Sequence, residues 1–519
     1  MKRISLLLLV LAALVLASCE SDNNHAFDPD ALKKSIVILY ENDVHCGIDG
    51  YTQMRGLRDA IVRSDTSFVG LVSVGDFLQG DLAGALSHGQ YIVDIMKNMG
   101  YDAVTLGNHE FDYGVARMQE LLPQINTTVV CTNLVKYGET TPMYQPYIIK
   151  QYGKKRIAFV GTTTPETMRS EAYSFFDKAQ NQLYDLQTDK CYSLVQQAVD
   201  KARGEGADYV VVLSHLGEAT SDTGINSHGL VAATRGIDAV LDGHTHSVIP
   251  CDYVNNLDGQ QVPVTQTGTK FANVGKLWIS PEGKFITSLV PNKDIPYTNA
   301  TVTHSTDSIK ALMKDQAGRH VATSKFPLIA IEGSSWPVRC KEMPLGNLVA
   351  DAYRAVMDTQ IGIVNGGGLR SNLPTDITYG DVIGVQPNDN NMCVIEATGE
   401  QLMAMLTKCT AKCPNADGSF PQVSGMKYTI HTASHKVTDV QVQDGEAYKP
   451  LDLQGKYTIA INDYYNNGGF YRTLQVCRLI RMTEVLSRDA LSTYLEKTLK
   501  GVVPDSYQEP QGRITIVND

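Results

Sequence analysis

Apolar residues fall along the chain in short blocks whose period changes. Runs rich in β-branched and aliphatic residues recur at Ile36–Tyr40, Phe68–Val74, Ala103–Leu106, Ile157–Val160, Tyr209–Ser214 and Ala239–Leu241. Between them lie stretches such as Gly89–Met99 and Cys191–Ala202, which read as helices. Continuously apolar strands separated by helices predict buried, largely parallel sheet. The pattern breaks around Asp294–Ala300, where Pro296 stands among polar residues. Asp307–Thr323, containing Ile309, Leu312, Met313 and Ala317, then predicts a connecting helix, with Ser305 and Thr306 as suitable N-caps. Beyond it the alternation resumes, with helices at Leu345–Met357, Gly399–Thr410 and Ser487–Leu499 and strands at Ile361–Val364 and Lys456–Ile461. The fold class is therefore α/β in two bodies: residues 35–295, a linker at 296–325, and residues 326–519.

Length agrees with that division, since 519 residues exceed one ordinary core. Hydrophobic content of 43% against 19% charged residues describes a packed protein and excludes a disordered one. A net charge of −11 argues against a broad grip on nucleic-acid polymer, so an anionic substrate must be held locally, by metal or by a few arginines. One apolar run approaches membrane length, which excludes a polytopic membrane protein. It is the N-terminal segment, where Lys2 and Arg3 precede Ile4–Leu16 and the run ends in Leu16-Ala17-Ser18-Cys19. Residues 1–18 read as a signal peptide and residues 19–34 as a tether. The four closing residues look like a bacterial lipobox, which would lipidate Cys19 and anchor the protein to a bacterial membrane outside the cytoplasm. The other nine cysteines are irregularly spaced and contain no CxxC pair, so neither a zinc ribbon nor a disulfide scaffold is indicated.

The chemistry lies at the strand ends. Five N-terminal strands are followed by Asp43-Val44-His45, Gly75-Asp76, Gly107-Asn108-His109-Glu110-Phe111-Asp112, Ser214-His215 and Asp242-Gly243-His244-Thr245-His246. The carboxyl ends of parallel strands converge on one edge of a sheet, where open α/β folds place their sites. Imidazoles mixed with carboxylates suit zinc, manganese or iron, and there are donors enough for two divalent ions that share Asp76. Two such ions can clamp a phosphoryl group and acidify a water for in-line attack.

These five motifs, in this order, resemble those of the calcineurin-like metallophosphoesterases, and the Gly-Asn-His-Glu-Phe-Asp form is similar to their 5′-nucleotidase branch. Downstream, Arg339 to Ala352, Asn365-Gly366-Gly367-Gly368-Leu369-Arg370 and Asn462 to Gly469 resemble the start, the glycine-rich loop and the aromatic loop of the 5′-nucleotidase C-terminal domain. The resemblance implies an α/β/β/α sandwich joined by a helix to a second α/β domain, with domain rotation about the linker opening and closing a site between them. It implies that Asp43, His45 and His246 hold one metal, that Asn108, His215 and His244 hold the other, and that Asp76 bridges. It also implies a His109–Asp112 dyad in which the histidine contacts phosphate. For Asp112 alone, a helix cap near Tyr113 is the plainer alternative.

In the second domain Arg339 and Arg370 can fork onto phosphate, and Asn365 can reach the base or ribose. The family stacks the base between two aromatic rings. Here Met392 stands in for the first, Tyr464 or Tyr465 for the second, and Phe470 replaces the ribose-binding aspartate. The resulting expectation is a 5′-nucleotidase acting on nucleoside 5′-monophosphates. Two alternatives are a phosphoesterase for 2′,3′-cyclic nucleotides, UDP-sugars or other esters, and a non-catalytic nucleoside-binding lipoprotein.

Overall fold

The computed structural model describes residues 35–518 apart from 178–180, 219–222, 389 and 467–471. Cys19 and Phe470 lie outside the described residues. Two compact units divide between Ala311 and Leu312.

The first unit is built on two six-stranded sheets. One runs, in spatial order, Phe285–Pro291, Asn273–Ile279, Ser35–Glu41, Ser67–Ser73, Ala103–Val104, Thr128–Val129. The other runs Val248–Asn255, Gln261–Thr267, Ala239–Leu241, Tyr209–His215, Lys155–Thr163, Tyr147–Tyr152. In each, four parallel strands carry antiparallel strands at the edge. Alternation of side chains shows how the layers stack. Ile157, Phe159, Val211 and Leu213 point inward and share one buried cluster with Ile36, Ile38, Val72 and Leu277 of the other sheet. Their neighbours Ala158, Val160, Val210 and Val212 point the other way, onto Val195 and Val199 of the helix Cys191–Gly204. The strands are thus apolar on both faces because one face meets a sheet and the other a helix.

The second unit has a mixed five-stranded sheet in the order Pro421–Ser424, Ile361–Asn365, Lys456–Asn462, Asn391–Thr398, Arg478–Leu486. Only Ile361–Asn365 and Lys456–Asn462 run parallel in it. Val364, Val394 and Ala460 pack with Leu345, Leu348 and Val349 of the helix Pro344–Met357. Ile363, Ile395 and Ile461 pack with Leu402, Met405 and Leu406 of the helix Gly399–Thr410. That second helix is started by a capping box in which the side chains of Thr398 and Gln401 bond each other's backbone N–H.

Two expectations need correction. The connecting helix spans Ala300–Ala317, and His320–Thr323 is a strand. Ser305 and Thr306 lie inside the helix, and the Asn299 side chain accepts from the Val302 N–H at its start. Met392 is fully buried in the core of the second unit. It sits in the strand Asn391–Thr398, which has a partner strand on either side, so its side chain fills the interior and offers no surface to a base.

Candidate metal centre

Five of the seven candidate ligands of the first unit leave a strand end in an unusual backbone conformation. Asp43, His45, Asp76, His244 and His246 have φ of 52°, 45°, 58°, 81° and 56°. Non-glycine residues enter this left-handed region at a cost, and such residues gather where function demands a particular side-chain direction. Backbone bonds hold the turns: the N–H of Asp43 donates to the Gly75 carbonyl at 3.1 Å, and that of His45 to the Asp76 carbonyl at 2.9 Å. Asn42 donates from Nδ2 to Asp43 Oδ2 at 2.6 Å while its Oδ1 receives the N–H and hydroxyl of Thr267.

These turns bring the side chains together. The ligating atoms of Asp43, His45, Asp76 and His246 all lie within 4.8 Å of one another. His45 Nε2 is 2.9 Å from His246 Nε2, Asp76 Oδ2 is 3.1 Å from His215 Nε2, and Asn108 Oδ1 is 3.0 Å from His244 Nδ1. The backbone N–H of His244 donates to both carboxylate oxygens of Asp43, at 3.1 and 3.0 Å. Asp43, Asp76 and His215 are fully or almost fully buried.

The donor set fits divalent cations on three grounds. Two ligands each ~2.1 Å from one ion and at right angles lie ~3.0 Å apart, which is the spacing of these three pairs. Asp76 Oδ2 and His215 Nε2 are buried, and they face each other without the geometry of a hydrogen bond. The carboxylates of Asp76 and Asp43 also draw positive charge into the site, which a cation would supply while leaving the imidazoles neutral. Burial opposes the charge on Asp76, yet the imidazoles of His215, His109 and His45 hold its carboxyl well below the usual range. Burial likewise opposes a charged His215, but Asp76 and Asp43 raise its pKa to about 10. His45 is pushed down to about 4, chiefly by burial.

The dyad residues meet as well. His109 Nδ1 is 3.1 and 3.2 Å from the two oxygens of Asp112. The helix after Asp112, Gly114–Leu121, has Tyr113 as its N-cap. Burial opposes a charged His109, whereas Asp112 and Asp76 raise its pKa well above the ordinary value. Glu171 joins this pair, with ligating atoms of all three within 4.8 Å.

Two further carboxylates were not singled out by sequence reasoning. Glu110 is fully buried, and its oxygens accept the N–H groups of Gly107, Asp76, Phe77 and Leu78 at 2.6–3.1 Å. It thereby clamps the Asp76 turn to the Asn108 turn. Its place in the Gly-Asn-His-Glu motif was the available signal. Glu166 Oε2 lies 3.0 Å from His244 Nε2, a pairing that no local spacing announces.

In the second unit, Arg339 ends the short helix Pro337–Arg339, and its guanidinium stacks 3.9 Å over the Trp336 ring. Burial and the nearby Arg370 charge push its pKa below the ordinary value, against Asp417. Arg370 is exposed. Asn365 is buried at the end of its strand and donates to the Gly418 carbonyl at 3.2 Å. Tyr464 is partly exposed on the short helix Asp463–Asn466, which also contains Tyr465. The nine cysteines from Cys46 to Cys477 are unbridged. No helix among the described residues is long and apolar enough to cross a membrane.

Comparison with known proteins places this architecture. Residues 320–474 match the family described as 5′-nucleotidase, C-terminal domain, and residues 38–264 match that described as bacterial capsule synthesis protein. The chain is 26% identical over 502 residues to the trifunctional nucleotide phosphoesterase of Bacillus subtilis, covering 85% of this chain but only 32% of that protein. It is 25% identical over 505 residues to the 5′-nucleotidase of Vibrio parahaemolyticus, covering 88% and 87%. It is also 25% identical over 559 residues to the 2′,3′-cyclic-nucleotide 2′-phosphodiesterase/3′-nucleotidase of Haemophilus influenzae, covering 88% and 82%. Among solved structures, a 5′-nucleotidase precursor from Thermus thermophilus covers 93% of this chain at 24% identity and a TM-score of 0.60. The NAD nucleotidase of Haemophilus influenzae covers 93% at 18% identity and 0.57. These two share the fold. Residues 320–474 thus match a 5′-nucleotidase C-terminal domain behind an α/β unit that gathers histidines and carboxylates at its strand ends, and over most of its length the chain is similar to 5′-nucleotidases and related nucleotide phosphoesterases.

Proposed function

We propose that the protein is an extracytoplasmic 5′-nucleotidase that hydrolyses nucleoside 5′-monophosphates to nucleoside and phosphate. The observation that carries this reading is the meeting of Asp43, His45, Asp76, Asn108, His215, His244 and His246 at the strand ends, beside the His109–Asp112 pair. Asp43, His45 and His246 would hold one divalent ion, Asn108, His215 and His244 the other, with Asp76 common to both. When bound, the ions would screen the phosphate charge and acidify the attacking water. The protein's own groups do the rest. Asp112 accepts a hydrogen bond from the Nδ1–H of His109 and orients the ring, leaving the Nε2–H to donate to a phosphate oxygen as charge builds in the transition state. The raised pKa keeps that imidazole charged at neutral pH. Asp76 fixes the same residue from behind, its Oδ1 accepting the His109 N–H at 2.8 Å. Arg339, Arg370 and Asn365 would bind the rest of the nucleotide, with Tyr464 or Tyr465 stacking on the base. The Leu16-Ala17-Ser18-Cys19 run supports lipid anchoring through Cys19.

A second reading is favoured by one observation. With Met392 in the core, the residue expected to form one side of the base clamp does not face a base, which loosens the preference for a nucleoside and leaves 2′,3′-cyclic nucleotides, UDP-sugars or other phosphate esters as substrates. A phosphate-release panel decides. The nucleotidase reading expects AMP to turn over with a higher kcat/KM than p-nitrophenyl phosphate; equal or lower turnover of AMP overturns it.

A further inference from the structure

Among the candidate ligands, His244 has both ring nitrogens engaged at the same distance by different groups. Nδ1 lies 3.0 Å from Asn108 Oδ1, inside the ligand cluster, and Nε2 lies 3.0 Å from Glu166 Oε2, outside it. Glu166 is carried to this point by its sheet. The strand Lys155–Thr163 pairs in parallel with Tyr209–His215, so that Thr163 sits opposite His215. Three residues on, the chain turns back on itself: the Glu166 N–H donates to Thr164 Oγ1, and its carbonyl receives the N–H groups of Arg169 and Ser170. The backbone beneath the carboxylate is therefore fixed. The side chains of Glu166 and His244 are each only 19% exposed, so the pair is largely shielded from competing water.

We propose, resting on the metal reading above, that Glu166 is a positioning residue for His244. A carboxylate is acceptor-only and a neutral imidazole carries one proton, so Glu166 keeps that proton on Nε2 and leaves the Nδ1 lone pair for the metal. It also fixes the ring rotation. His215 is held by the same logic with a different acceptor: its Nδ1 lies 2.7 Å from the Val74 carbonyl, leaving Nε2 toward Asp76. The two imidazoles assigned to one ion thus present opposite nitrogens, each chosen by the partner behind the ring.

The test compares Glu166→Ala and Glu166→Gln with the wild type and with His244→Ala. Manganese and zinc are titrated into the metal-free proteins, and the visible absorption of the cobalt(II)-loaded forms is recorded. Glu166→Ala should bind one of two ions 10–100-fold more weakly, leave the other unchanged and alter the cobalt spectrum. Glu166→Gln, whose amide oxygen still accepts from Nε2–H, should lose less and should melt like the wild type when metal-free. Wild-type affinity for both ions in Glu166→Ala overturns the proposal. So does a loss as complete as that of His244→Ala, which would make Glu166 a ligand itself. A wild-type chain that binds no divalent ion defeats the metal reading as well, which distinguishes the two failures.

Discussion

Gly107→Ala tests how closely the centre is packed. Gly107 has no positive φ, so alanine suits its backbone and the whole effect must come from contact. A Cβ there would lie 2.1 Å from Asp76 Oδ1 and 2.7 Å from its Cγ and backbone N. Relief requires the carboxylate to withdraw by about 1.4 Å, because non-bonded heavy atoms settle at about 3.5 Å. That movement opens the 2.8 Å bond from the His109 N–H to Oδ1 and draws Oδ2 away from His215. A hydrogen bond to a charged group contributes about 1.5–3 kcal/mol, which corresponds to about a tenfold to hundredfold loss if it falls on the assembled site. The assay is kcat/KM for phosphate release together with metal affinity. Gly204→Ala is the control: nothing lies within 4 Å of its Cβ at the exposed end of the helix Cys191–Gly204. It should leave activity unchanged and stabilise the protein by up to ~1 kcal/mol. Wild-type activity and metal binding in Gly107→Ala would refute the packing argument.

Three other perturbations separate the roles. His109 has a raised pKa, so its donor is present below that value and is lost as pH rises through it. Asp112→Asn should therefore move the alkaline limb of kcat/KM down toward the ordinary histidine value of ~6.5, and an unmoved limb would remove Asp112 from the dyad. Arg370→Ala should raise KM for AMP and leave kcat nearly unchanged, as expected for uniform binding; a matching fall in kcat would place its contact in the transition state. Met392→Ala should cost about 2–5 kcal/mol in urea unfolding of the second unit without raising KM for AMP, whereas a base clamp would show the reverse.

The metal candidates were legible because each lies at or just past the carboxyl end of a parallel strand; the packing of the two sheets then brings the two sets of strand ends together. Glu166 and Glu171 were not. Glu166 reaches His244 only through the register of Lys155–Thr163 against Tyr209–His215, which pairs residues far apart in the chain. Met392 was misread because its strand was not anticipated: Asn391–Thr398 is buried on both faces and flanked by loop-like Asn388-Asp389-Asn390, so local composition masked it. The connecting helix was displaced for a related reason. Ser305 and Thr306 have capping chemistry, but Asn299 has it eight positions earlier than the expected start at Asp307, on the boundary of the Pro296 break. The half-buried strands Met426–His431 and Lys436–Asp444 of the second unit form an antiparallel hairpin whose pairing, more than its composition, defines it.

The central claim is that the strand-end residues of the first unit hold the ions that hydrolysis needs. Its most direct test is elemental analysis of the purified protein alongside phosphate release from AMP, before chelation, after it, and after metal is restored. The account predicts close to two divalent ions per chain, loss of activity with their removal and recovery on readdition, with Asp76→Ala unable to recover. Undiminished hydrolysis by metal-free protein would contradict it.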